Sequence, residues 1–229
     1  MFKKLLTTGA LALFTLTSTV FAAGAADVTP PANVAVQAII APATISPKEA
    51  ADLQYMREEE KLAHDVYVTL YEKWGLRVFA NISRSEQQHT EAVAYLLDRY
   101  DVTDPAAGNA LGEFTDEKLQ ALYDQLVTQG SKSVADALKV GAAIEEIDIL
   151  DLQERLAATD NAAIDQVYEN LLAGSENHLR AFVSNLKART GETYAPQYLS
   201  QAAYNAIVTA SGSQGGGNGG RGGGRGGRR

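Results

Sequence analysis

Cysteine is absent from this sequence. Disulfides, thiolate catalysis, iron–sulfur clusters and zinc–thiolate sites are therefore excluded. Any bound metal must be held by carboxylate, imidazole and water, a donor set that suits iron, manganese or zinc. Histidine is almost absent as well: 229 residues contain three, His64, His89 and His178. No stretch alternates with period two for long enough to form a strand, so the expected fold is all-α. The N-terminal apolar run Leu5 to Val20 falls short of the ~20 residues of a membrane span and is broken by Thr8, Thr15, Thr17, Ser18 and Thr19.

What that run does resemble is a secretory signal. Lys3 and Lys4 precede it and the small residues Ala22, Ala23, Gly24, Ala25 and Ala26 follow, with cleavage expected after Ala22 or Ala25. Residues 1–25 are thus read as a signal peptide, which makes the protein exported, to the periplasm or the extracellular space. Residues 26–44, with Pro30, Pro31 and Pro42, read as a flexible leader. Residues 211–229 form a glycine-arginine tail without apolar side chains to offset the entropy of ordering, so disorder is expected. An anionic envelope polymer is the partner that Arg221, Arg225, Arg228 and Arg229 suit. Between the ends lies one domain, residues 45–210, long enough for a single core.

The formal charge of −8 becomes −14 once Lys3, Lys4 and the four tail arginines are set aside. So acidic a body argues against nucleic-acid binding by the domain and is compatible with attracting cations. Its helices can be placed from their caps. Ser46-Pro47-Lys48-Glu49 is a capping box that starts a helix running to about Trp74, ended by Gly75. A second helix spans about Phe79 to Tyr100. A loop with Pro105, Gly108 and Gly112 leads to a short helix capped by Thr115-Asp116-Glu117 and broken by Gly130. Long helices follow over Ser133 to Ala158 and Asn161 to Arg189, and a weak one over Tyr198 to Val208. Four long helices with a long crossover carrying a short helix between the second and third is the layout of a ferritin-like four-helix bundle.

A dimetal site in such a bundle needs inward glutamates and Glu-x-x-His pairs, because residues three apart share a helical face. Glu60 lies on the first helix's apolar stripe with Leu53, Met56, Ala63 and Tyr67; Glu59 is nearly as close, and Glu58 is not. Glu86 and His89 form a Glu-x-x-His pair on the second helix, although Ser83-Arg84-Ser85-Glu86 would also fit a capping box at a helix start. Glu145 sits on the core stripe of the third long helix with Asp148 three residues on, while Glu146 points away. His178 is on the stripe of the fourth, where Ser175 stands three residues before it in place of glutamate. His64 is one position off its stripe and reads as a surface residue.

"EKLAHDVY", Glu60 to Tyr67, is similar to the first iron-binding helix of rubrerythrins, "SEQQH" to their second-helix pair, and "EEID" to their third-helix Glu-x-x-Glu. More closely, "MREEEKLAHDVY", "ISRSEQQHTEAV" and "GSENHLRAF" in this order resemble an uncharacterised bacterial domain family of the ferritin-like superfamily, over about Leu53 to Leu186. The resemblance implies a ferritin-like fold and a non-haem iron site, and it carries no settled function.

The expected metal ligands are therefore Glu60, Glu86, His89, Glu145, Asp148 and His178, for two irons, or manganese or zinc, with Tyr67 and Ser175 beside them. Two functions stand on this reading. One is a non-haem metalloprotein, either an oxidoreductase acting on peroxide or dioxygen, with an electron donor the sequence does not identify, or an iron-handling protein. The other is a metal-free helical scaffold or binding module of the cell envelope.

Overall fold

A computed structural model describes residues 44–210. The signal peptide, almost all of the leader and the glycine-arginine tail lie outside the described residues. Within them are six α-helices and no strand: α1 (Pro47–Trp74), α2 (Arg77–Arg99), α3 (Glu117–Gly130), α4 (Val134–Leu156), α5 (Ala162–Thr190) and α6 (Gln201–Thr209). No helix among the described residues is long and apolar enough to cross a membrane.

Helix ends follow the local chemistry. The Ser46–Glu49 capping box is complete, and Asp116, Ser133, Asn161 and Ser200 cap α3, α4, α5 and α6 with side-chain oxygens on backbone N–H groups, each contributing about 1 kcal/mol. Gly75 ends α1 at φ 63°, a left-handed conformation that costs glycine nothing, and the chain reverses into α2 within two residues. Because α2 begins at Arg77, the Ser83–Glu86 capping box does not form, and Glu86 lies inside the helix.

The closest packing is between α1 and α2 and between α4 and α5, and the two pairs meet face to face. The crossover from α2 to α4 carries α3, which packs on α1 and α4. Two apolar clusters fill the interior. One centres on Tyr67, Phe79, Phe182 and Leu138, the other on Met56, Leu97, Leu152 and Tyr168. Glu60 of α1, Glu86 and His89 of α2, Glu145 and Asp148 of α4 and His178 of α5 fall between residues of these two clusters along their helices.

The acidic run on α1 is not a solvated face. Glu58, Glu59 and Glu60 are all buried. The Glu58 carboxylate accepts from the backbone N–H groups of Thr115 (2.5 Å) and Asp116 (2.9 Å), tying the crossover to α1 at the start of α3. Glu146, expected to point away from the core, is completely buried, because the segment before α6 folds over it. Its carboxylate accepts from the N–H groups of Gln197 (2.9 Å), Tyr198 (2.6 Å) and Leu199 (2.8 Å). Successive N–H groups converging on one anion make a backbone nest, a partner invisible at the level of one helix.

Glu146→Ala is therefore expected to cost about 3 kcal/mol, since it strands three N–H donors, one buried and two partly buried. Chemical denaturation checks the loss, and hydrogen exchange should show faster opening at 197–199 than at α1. Uniform exchange would mean the nest is not what holds the segment.

Candidate metal centre

Each long helix delivers polar groups to the layer between the two apolar clusters: Glu60 and Tyr67 from α1, Glu86 and His89 from α2, Glu145 and Asp148 from α4, Ser175 and His178 from α5. All but His89 are classed as buried, and the His89 side chain is only 12% exposed. Glu86 stands at the centre. One of its oxygens is 2.8 Å from His89 Nδ1 and the other 2.6 Å from His178 Nδ1. Glu60 Oε2 reaches His89 Nδ1 at 3.3 Å, and Glu145 Oε2 reaches His178 Nδ1 at 3.5 Å. The imidazole rings are stacked, with centroids 5.5 Å apart.

Two triads result, Glu60–Glu86–His89 and Glu86–Glu145–His178, and within each the ligand atoms lie within 4.8 Å of one another. They share Glu86. Asp148 is buried beside them but belongs to neither triad. One of its oxygens accepts a short hydrogen bond from Ser175, whose place three residues before His178 is thus occupied by a donor to a carboxylate and not by a ligand. Tyr67 OH donates to Glu145 Oε1 at 2.5 Å, fixing that carboxylate from the side of the aromatic cluster.

The electrostatics are those of negative charge crowded away from water. Burial raises Glu60 to about 7 against the pull of His89. Burial also raises Glu145, helped by Glu86, and raises Asp148 well above the carboxylate range, helped by Glu60 and Glu145. Burial works against the charge on Glu86 too, but the His178 and His89 imidazoles beside it overcome it and bring the carboxyl to about 2. The histidines respond in the opposite sense: burial would lower both, yet Glu60 and Glu86 lift His89 to about 11, and Glu145 and Glu86 lift His178 to about 10.

The residues fit a cation. Glu60 Oε1, Glu86 Oε1, Asp148 Oδ1 and His178 Nδ1 are buried and have no hydrogen-bond partner. Glu86 Oε1 and His178 Nδ1 lie 2.6 Å apart yet are not aligned to bond each other. Such orphaned groups are costly in a metal-free core, and the oxygen and imidazole donors are those that iron, manganese or zinc accept.

Two further features border the centre, one of them, Glu59, already close to the apolar stripe in the sequence. Glu59 is buried with an unpartnered oxygen, its carboxyl raised well above the usual range by burial and by Asp151. Gly174 faces the edge of the His89 ring, where a Cβ would stand 2.6 Å from both Cε1 and Nε2. That glycine gives the imidazole its room, and only the packing of α5 against α2 reveals it. His64, expected at the surface, is half-buried and bonds Asp65 through Nδ1 at 2.8 Å.

An all-helical protein with carboxylates and imidazoles gathered in its core is the class that fold and site define. The chain belongs to the family described as an uncharacterized protein domain, DUF2202, whose profile matches residues 49–211. It is 51% identical over 171 residues to the uncharacterized protein MJ0754 of Methanocaldococcus jannaschii, covering 75% of this chain and 92% of that one. It is also similar to the crystal structure of the hypothetical protein MJ0754 from Methanococcus jannaschii, with a TM-score of 0.73 and 49% identity over 76% of this chain and 99% of that chain.

Gly174→Ala is expected to push the His89 ring out of register and to cost about 1–3 kcal/mol through overpacking. The His89 imidazole resonance should shift while that of His64 stays in place. An unshifted resonance with unchanged stability would show that the ring has space to spare.

Proposed function

We propose that this protein is an exported non-haem metalloprotein of ferritin-like four-helix-bundle architecture, holding two iron ions, one in each triad. Glu60 and His89 would hold one ion, Glu145 and His178 the other, and Glu86 both, with Asp148 within reach to complete the set. Manganese or zinc would find the same donors acceptable. The observation that carries this reading is the placement of Glu86, whose two oxygens each face a histidine Nδ1 inside a separate triad. The order of the helices, with a long crossover between α2 and α4, supports the ferritin-like assignment.

When bound, iron supplies electrons for reducing peroxide or dioxygen. The chain's own contribution is positional. Tyr67 holds a proton on Glu145 Oε1, Ser175 holds Asp148, and Tyr67, Phe79 and Phe182, packed with ring centroids 5.0 to 6.0 Å apart, close the centre against water on one side. A metal-free scaffold of the cell envelope would have to leave the orphaned atoms of Glu60, Glu86, Asp148 and His178 unsatisfied, which disfavours that alternative.

Metal analysis of full-length protein purified without chelators should find about two transition-metal ions per chain, one per triad. His178→Ala should roughly halve that content, because one triad loses its only imidazole. Clearly substoichiometric metal after reconstitution with ferrous iron under argon would remove the reading. Ferrous oxidation by peroxide and by dioxygen, compared on the loaded protein, separates an oxidoreductase from an iron-handling role.

The pH dependence has a definite sign. In the metal-free chain both imidazoles keep their protons at neutral pH, with pKa values raised to about 11 and about 10. Ligation requires the neutral ring, so loading must expel them, and affinity should fall as pH falls. Calorimetric titration with zinc in buffers of different ionisation enthalpy should give a release of about two protons or more per loaded chain at pH 7. A heat independent of buffer would contradict the ligand set.

A further inference from the structure

On a neighbouring face of α1, turned away from the triads, Arg57, Lys61 and His64 follow at helical spacing and wall a cleft of about 290 Å³. Gln87 and Thr90 of α2 and the crossover from Ala106 to Leu111 complete it. None of the residues assigned to the metal lines this cleft. In a body so acidic, it presents three basic side chains and a single carboxylate, Asp65.

That carboxylate is already in use. Asp65 Oδ1 is 2.8 Å from His64 Nδ1, and Oδ2 accepts from Lys61 Nζ at 2.5 Å and from Gly112 N at 2.8 Å. Nδ1 being engaged, Nε2 is the ring nitrogen of His64 that has no partner within the described residues. Lys61 Nζ spends a second proton on the Ala110 carbonyl at 2.8 Å and keeps a third. Arg57 places Nε on Asp104 at 3.1 Å and one terminal nitrogen on Thr90, which leaves the other terminal nitrogen uncommitted. Arg57 and Lys61 are thus fixed by internal bonds while retaining donor capacity, and the fixed His64 ring offers Nε2 as a donor when it is protonated. Prior ordering lowers the entropic cost of binding, and partial burial strengthens a charge-assisted hydrogen bond.

We propose that this cleft binds a small oxyanion, the anionic group of a phosphate or a carboxylate, between Arg57, Lys61 and His64. It stands on residues separate from the metal centre and does not depend on the metal reading.

Inorganic phosphate and malonate, titrated calorimetrically in separate experiments into the full-length chain stripped of metal by a chelator, test it. One saturable site per chain is expected for at least one of them; which anion saturates identifies the ligand as phosphoryl or carboxylate. Arg57→Gln and His64→Gln, measured at about pH 5 where an imidazole carries both protons, should each weaken binding by about tenfold, the equivalent of one charge-assisted hydrogen bond, with helicity unchanged by circular dichroism. Because Arg57 also bonds the crossover, His64→Gln decides alone if Arg57→Gln fails to fold. Failure of both anions to saturate by about 20 mM, well beyond a Kd of about 1 mM, overturns the proposal. So does binding that His64→Gln leaves at full strength.

Discussion

The Glu86 carboxylate, clasped between two imidazoles in the buried middle of four helices, is the interaction on which the centre of this structure depends. A lone charge at that depth would be prohibitively costly. Held between His89 and His178 it stays ionised, and both histidines take protons in return. Glu60 and Glu145 extend the same logic outward, each leaning on one imidazole. The remaining donors, among them Glu60 Oε1 and Asp148 Oδ1, find no partner in the chain. A core that fully satisfied itself would not leave so many oxygens aimed inward.

Carboxylates do a second kind of work in this molecule. Glu58 and Asp65 hold the crossover against α1, and Glu146 holds the segment before α6, in every case through backbone N–H groups. Irregular segments have no ladder of their own, and an anion that gathers their donors fixes them without further secondary structure. A share of the carboxylates is thus internal, distributed between a central layer and the anchors of connecting segments. That distribution makes the basic cleft beside α1 stand out.

Membership of DUF2202 and the similarity to the protein MJ0754 of Methanocaldococcus jannaschii establish the family, whose description assigns no activity. Functional argument therefore starts from the donor set. Five residues able to donate oxygen or nitrogen, in two triads that share one carboxylate, form a compact set, and Gly174 and Tyr67 shape it without belonging to it. The glycine leaves space for the His89 ring, and the tyrosine orients Glu145.

Helix number, order and ends were legible in the sequence, because caps and apolar periodicity are local properties: Ser46, Asp116, Ser133 and Asn161 cap where the pattern placed them. The inward stripe also singled out Glu60, Glu145 and His178, since a polar residue at a core position is conspicuous against its neighbours, and the Glu-x-x-His spacing singled out Glu86 and His89. Tertiary structure alone decided how these groups pair. It centred them on Glu86, bonded Asp148 to Ser175, and buried Glu58 and Glu146 under segments that lie more than fifty residues away in the chain. It also made Gly174 a requirement of a ring on another helix. Helical spacing states which face a residue occupies; what meets that face depends on how helices cross and where loops return, and no local pattern encodes that.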